Sequence, residues 1–388
     1  MVLYQGFVMI AKKNNIFFFM FATNCKYKWS LISMLILFTA CQSLYAKTFT
    51  DIAGRIIELP SNVNNAIAIG PGCLRLIAYM KAVDYISGVE RAETKDGWIE
   101  GRPYSLAIKN RIKDLPIIGQ GGPGTLPNLE KIMEIKPDVI FASSMDLYQI
   151  KKIEEKTGIP VVVLSYGDSD DLFNVKVKKS LSLIASILDR GKREKELLDF
   201  INTCLIDLQK RSAETDTSKT FNVYLAGLSY KGKHGLESTR PCYPPFKILN
   251  LKSIVDDLKC NNHIFIDKEL IIERNPDYIF IDTNSLDIIK NDYLKNKKIY
   301  HLLTAIKKDN VHMILPYNSY NTNMEIALVN FYRIIMQILP KKFENINIEE
   351  KAGEIIKFFT GMDSYKQISS YFGSFKKLIF SGDFIYAK

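Results

Sequence analysis

The amino-acid sequence predicts an α/β protein of two lobes, each built on a mostly parallel sheet, and three observations carry that expectation. A thirteen-residue segment recurs 139 residues downstream, short Val/Ile-rich runs alternate with amphipathic helices in both halves, and a strandless helical stretch separates the halves.

The repeat is the most informative of the three. The segment from Leu129 to Phe141 realigns without a gap onto Lys268 to Phe280, with seven identical positions, among them Glu130 and Glu269, Pro137 and Pro276, and Asp138 and Asp277. In each copy an apolar pair lies on one helical face, the proline stops the helix, and a continuous apolar run follows. Each copy therefore reads as a short helix feeding a buried strand. A spacing of 139 residues is far too long for a solenoid, so the copies mark two related lobes.

Strands are expected at Ala66 to Ile69, Val139 to Ala142 and Val161 to Leu164 in the first half. In the second half they fall at Asn222 to Ala226, Tyr278 to Ile281 and Val311 to Leu315. Apolar residues at three-to-four spacing fill residues 171 to 211 without a strand signal, and Gly191 separates two helices there, because glycine inside a helix costs about 1 kcal/mol. The expected architecture is thus two Rossmann-like lobes joined by a long rigid interlobe helix, with a ligand cleft between them. The boundaries are 1–46 for an export segment, 47–170 for the first lobe and 171–213 for the connector. The second lobe takes 214–360, and 361–388 form a C-terminal extension with no assigned role.

Composition fits a globular chain, with 388 residues, 47% hydrophobic and 24% charged. The first fifty residues depart from it: no acidic residue precedes Asp51, and Lys26 and Lys28 stand before the apolar run Trp29 to Ala40, which reads as a signal peptide. Translation starting at Met20 is an alternative. Cleavage after Ala46 competes with a lipoprotein-type cleavage before Cys41, and both outcomes place the mature protein in the periplasm, free or lipid-anchored through Cys41. Removing four lysines and no acid lowers the formal charge from +10 to +6. That excess favours an anionic ligand, while the lack of a dense basic block interleaved with aromatics argues against nucleic acid. Cys73, Cys204, Cys242 and Cys260 remain, with no CxxC pair, and a Cys242–Cys260 disulfide competes with free buried cysteine.

Several stretches, in this order, resemble the substrate-binding proteins of the iron-siderophore and cobalamin class of ATP-binding cassette importers. They are Thr50 to Arg55 with Leu59-Pro60, Asp84 to Val89, Asn128 to Glu130 through Pro137-Asp138, and Tyr300 to Ala305 leading to Asn310-Val311-His312. The resemblance runs from Thr50 to about Phe359. It implies a receptor without catalytic residues or intrinsic cofactor, most readily a monomer, that captures a small-molecule metal chelate and delivers it to a transmembrane permease. A ferric siderophore is the leading cargo; a corrinoid, haem or a nickel chelate would suit the same cleft. It further implies that one glutamate on each lobe, here Glu130 and Glu269, engages the permease. The alternative is a structural role near a helix N-terminus, and Glu134 and Glu273 are their rivals.

In open parallel sheets ligands bind beyond the carboxyl ends of the strands. Of the residues there, Trp98, Arg102, Tyr166, Tyr230, His234, Arg240 and Tyr317 are the candidate ligand contacts. Rings supply rigid apolar area and arginine a planar fork for ligand oxygens. His234 is also the candidate metal ligand, able to fill a position that a chelator leaves open. The other reading of each residue is a solvated loop. Gly227 to His234 nearly spells a phosphate-binding loop but ends in His234 where Ser or Thr is required, and prolines 241, 244 and 245 follow it. Gly70-Pro71-Gly72 lacks the third glycine of a dinucleotide fingerprint. A secreted hydrolase is the reading from a different class, and the lack of a Gly-x-Ser-x-Gly elbow counts against it.

Overall fold

The computed structural model describes residues 8–12, 15–19, 46–94, 99–167, 172–213, 221–230, 232–258, 263–382 and 384–388. The export run Trp29 to Ala40, Cys41, Trp98, Lys231 and Cys260 lie outside these residues. Strands β1 (Val8–Lys12) and β2 (Asn15–Phe19) form a separate hairpin.

A second hairpin, β3 (Ala46–Thr50) and β4 (Ile56–Pro60), opens the first lobe. Its turn is tied down by Arg55, whose guanidinium reaches Asp51, Glu154 and the Val161 carbonyl. Then come β5 (Ala66–Ile69), α1 (Cys73–Tyr79), β6 (Ile86–Gly88), α2 (Pro103–Ile112), α3 (Leu129–Ile135), β7 (Val139–Ala142), α4 (Leu147–Thr157) and β8 (Val161–Val163). The four strands β5 to β8 are parallel, in the order β6-β5-β7-β8. Every residue of β5 and β7 is buried, as expected for apolar runs covered on both faces.

Helices α5 (Val175–Ile187) and α6 (Gly191–Ala213) form the connector. The break falls at Leu188 to Arg190, with Asp189 in the left-handed region at φ 53°, and Gly191 begins the second helix.

The second lobe contains β9 (Asn222–Ala226), β10 (Ser238–Thr239), α7 (Pro244–Ile248), β11 (Lys252–Ser253), β12 (Ile264–Phe265), α8 (Lys268–Arg274), β13 (Tyr278–Asp282), α9 (Leu286–Tyr300), α10 (Thr304–Lys307) and β14 (Val311–Ile314). After these come α11 (Met324–Ile338), α12 (Ile348–Thr360), α13 (Tyr365–Phe372), β15 (Lys377–Ser381) and β16 (Phe384–Ala387). Its sheet runs β11-β9-β13-β14-β15-β16. The first four strands are parallel, and the C-terminal hairpin adds two antiparallel strands at the edge. Cys242 is disulfide-bonded, whereas Cys73 and Cys204 are free and buried.

The two copies of the repeat adopt one geometry. Helices α3 and α8 both end on a left-handed residue, Lys136 at φ 53° and Asn275 at φ 40°, directly before the repeated proline. The repeated aspartate then caps the neighbouring strand: an Asp138 oxygen accepts from the Asn65 N–H at 3.0 Å, and an Asp277 oxygen from the Asn222 N–H at 3.0 Å.

The connector is not the only joint. One apolar core runs from α1 and the first-lobe strands through α5 and α6 to α11 and α12, so both lobes share a helical layer. Within it Phe200 stacks on Phe358 at 3.8 Å, and Arg193 of α6 donates to the carbonyl oxygens of Tyr79 and Phe358 at 2.8 and 2.6 Å. A joint buried over several helices resists hinge bending more than a lone helix would.

Candidate functional site

The strand ends of the first lobe converge on the turn Gly70-Pro71-Gly72. Both glycines are left-handed, at φ 82° and 80°, and neither position has room for a side chain. A Cβ on Gly70 would lie 2.0 Å from the Ser143 carbonyl oxygen, and one on Gly72 would lie 2.7 Å from the Tyr166 ring. Ser143 Oγ donates to the Pro71 carbonyl at 2.8 Å and Tyr166 Oη to that of Gly72 at 2.9 Å. Tyr166 thus lies half-buried against the turn, at the end of β8 where the sequence places it.

Facing this turn, the segment from Tyr317 to Glu325 leaves β14 and crosses to the first lobe. Arg75 donates to the carbonyl oxygens of Ser319 at 2.6 Å and Thr322 at 2.9 Å, and its guanidinium covers the Tyr104 ring. Arg102 donates to Ser319 Oγ at 3.2 Å and to the Ala92 carbonyl at 2.6 Å, and lies over the Tyr320 ring. Asn321 Nδ2 reaches the Pro71 carbonyl at 3.2 Å, and Tyr79 hydrogen-bonds Glu325. These contacts form a clasp across the lobe junction.

Three carboxyls are buried in or beside the clasp. Glu90 Oε2 accepts from the Gly70 N–H at 3.0 Å and from Tyr320 Oη at 2.9 Å. Burial pushes its carboxyl up to about 7. Glu93 accepts from Tyr104 Oη at 2.5 Å, and burial likewise raises the pKa of Glu93 and of Glu325.

The candidate contacts separate by place. Arg102, 5% exposed, is engaged in the clasp. Tyr317 and Arg240 are buried beneath it, hydrogen-bonded to each other, with Tyr317 leaning on Tyr243. Beside them Asp282 ends β13, where one carboxylate oxygen accepts from the Asn284 N–H at 2.9 Å and burial pushes the carboxyl up to about 7.

Tyr230 and His234 lie instead at the rim of the second lobe. His234 Nε2 is 2.6 Å from the Tyr230 carbonyl, and since a carbonyl only accepts, this nitrogen carries the proton and Nδ1 has the free lone pair. Near them a groove of about 440 Å³ is lined by Lys233, Asp287, Lys290, Thr283, Asn284 and Tyr371, with Lys233 paired to Asp287 at 3.2 Å, so residues beyond 360 contribute to the rim. Among the described residues no group of three or more His, Cys, Asp or Glu is arranged to hold a metal ion.

Sequence reasoning does not rank Arg75, Glu90, Glu93 or Tyr320 among the candidate contacts. Glu90 follows the end of β6 closely, and an acidic residue just past a buried strand is the available signal.

Glu130 and Glu269 are both exposed, each the second residue of its seven-residue helix. Neither makes an ion pair among the described residues, whereas Glu134 is paired with Lys131 at 2.6 Å.

The model of the periplasmic binding protein family matches residues 110–316, and no helix among the described residues is long and apolar enough to cross a membrane. The chain is 21% identical to the molybdate-binding protein MolA of Haemophilus influenzae over 86% of its own length and 96% of that protein's. It is 28% identical to the iron-uptake system-binding protein of Bacillus subtilis over 48% of its length and 58% of that protein's. The structure of MolA bound to molybdate superposes with a TM-score of 0.64 at 18% identity, covering 82% of this chain and 98% of MolA. That of Helicobacter pylori CeuE with Ni(II) bound gives 0.58 at 15% identity, covering 84% and 99%. With two lobes and a shared helical layer, the chain belongs to the periplasmic binding protein family, the solute-binding components of ATP-binding cassette importers.

Proposed function

We propose that the protein captures a ferric siderophore in the cleft between its lobes and delivers it to the permease of an importer whose ATPase is a separate chain. The observation that supports this most is the second-lobe rim, where the stacked rings of Tyr230 and His263 and the His234 imidazole stand near a groove lined by Tyr371, Lys290 and the Lys233–Asp287 pair. Rings and cations together suit a bulky anionic chelate, and His234 Nδ1 can fill a coordination position left open by the chelator. Trp98, Arg102, Tyr166, Arg240 and Tyr317 complete the proposed binding surface once the clasp loosens. Glu130 and Glu269 are the proposed permease contacts. The mature protein works in the periplasm after loss of its first 46 residues, or held by a lipid on Cys41. The cargo leaves unchanged, since the receptor performs no chemistry and carries no cofactor of its own.

A second reading has one observation in its favour: the match to a molybdate-binding protein covers 96% of that protein. In this reading the ligand is a tetrahedral oxyanion. The deciding experiment is calorimetric titration of the mature protein with a ferric siderophore and with molybdate, alongside mass analysis of what co-purifies from the native host. A coloured ferric species and heat from the siderophore alone support the first reading. Heat from molybdate alone replaces it with the second, and conversion of the ligand to a product would make the protein an enzyme.

A further inference from the structure

The loop after β9 and the short strand β12 gather four rings at the rim of the second lobe. Tyr230 stacks on His263, with ring centroids 4.4 Å apart and planes 8° from parallel. Phe265 presents an edge-to-face contact to His263 at 4.7 Å and to His234 at 4.8 Å. Both imidazoles are held in place. His234 donates to the Tyr230 carbonyl, while His263 Nε2 lies 2.8 Å from Ser238 Oγ, whose own proton goes to the Leu228 carbonyl at 2.5 Å. The serine oxygen therefore accepts, and Nε2 of His263 bears the hydrogen.

The two outer rings reach solvent. Tyr230 is 44% exposed and Phe265 is 54% exposed. Their support is anchored to residues just past the ends of β9, β13 and β14. Asn284 Nδ2 donates to Ser229 Oγ at 2.8 Å, the His234 N–H to Ser285 Oγ at 3.3 Å, and Asn318 of the clasp to the Ser229 carbonyl at 3.5 Å. An aromatic surface that is rigid and exposed beside the strand ends can take a ring from the ligand at little entropic cost.

We propose that Tyr230 and Phe265, held by His263, form a ring-binding subsite that selects chelates bearing a planar aryl group over equally charged chelates that lack one. This rests on the reading of the cleft as a ferric-chelate site. A well-placed aromatic pair contributes roughly 0.5–1.5 kcal/mol beyond area burial, which corresponds to about a two- to thirteenfold change in affinity.

Two neutral iron complexes with the same coordination, tris(benzohydroxamato)iron(III) and tris(acetohydroxamato)iron(III), differ only in the ring. Binding of each to the wild type and to the Tyr230→Ala, Tyr230→Phe and Phe265→Leu variants is measured calorimetrically, with melting curves to confirm folding. The wild type should prefer the benzohydroxamate complex by about tenfold. Tyr230→Ala and Phe265→Leu should bring the preference close to parity, and Tyr230→Phe should keep it. A wild type without preference, or one whose preference survives both truncations, overturns the subsite and leaves the ferric reading standing. Failure of folded wild type to bind either of these complexes or a ferric siderophore overturns the ferric reading, and the subsite with it.

Discussion

Tyr320 of the second lobe donates its hydroxyl to Glu90 of the first at 2.9 Å, and the same oxygen accepts from the backbone N–H of Gly122 at 2.9 Å. Tyr320 is held at φ 52°, a left-handed conformation that costs a non-glycine residue free energy, so these contacts must offset it. Tyr320→Phe keeps the ring under Arg102 but leaves a half-buried N–H and a buried carboxyl oxygen short of a partner. The expected loss is about 1–3 kcal/mol, read from the denaturant midpoint at unchanged m-value.

Glu90 makes the clasp depend on pH in a direction that is easily misjudged. Its carboxyl rises from 4.5 to about 7 because burial penalises the charged form. A group with a raised folded pKa contributes stability that is complete below the unfolded value and is lost as pH rises through the folded one. Burial raises Glu93 and Glu325 in the same sense. The clasp should therefore tighten on acidification from pH 8 to 5. Glu90 alone should contribute on the order of 3 kcal/mol, since each pH unit between its unfolded and folded values is worth about 1.4 kcal/mol. Unfolding free energies across that range check this. Glu90→Gln, neutral at every pH, should flatten the curve, and an equally steep curve in that variant would assign the effect elsewhere.

Arg75 serves two carbonyl oxygens, those of Ser319 and Thr322, from two nitrogens of one planar group. Lysine carries the same charge but lacks this fork and would have to leave one carbonyl unsatisfied inside the junction. Arg75→Lys should cost about 1–3 kcal/mol in a urea melt. Retention of full stability would show that water replaces the lost donor.

What the sequence made legible follows from how locally each feature is specified. Pro137 and Pro276 stop their helices wherever the chain goes next, and Asp138 and Asp277 cap the adjacent strand from the same offset. The repeat therefore predicted two lobes from chemistry confined to thirteen residues. The clasp was not legible because its partners lie far apart in the chain, Glu90 and Tyr320 by 230 positions. Polar residues past a strand end read equally as ligand contacts or as lobe contacts, and in the clasped arrangement Arg102 donates to Ser319 Oγ of the other lobe. The C-terminal hairpin escaped for another reason. Its strand β15 alternates over only five residues, a pattern too short to stand out before its pairing with β14 is known.

The repeat also separates docking from binding. Glu130 and Glu269 occupy equivalent positions in helices of equal length, both exposed and without ion pairs among the described residues. An acidic group in the first turn of a helix gains about 0.3–1 kcal/mol from the backbone dipole, so a purely structural role predicts a small loss of stability on charge reversal. A docking role predicts something else. Glu130→Lys and Glu269→Lys would each present a cation where the permease expects a carboxylate, and like-charge contact across an interface costs several kcal/mol. Each variant should bind its ligand with the wild-type dissociation constant while uptake in cells falls by at least about tenfold, and the double variant should transport least. Glu134→Lys, whose wild-type carboxylate is already occupied by Lys131, is the control and should transport normally. Undiminished uptake in both Glu130→Lys and Glu269→Lys would return these residues to the structural role.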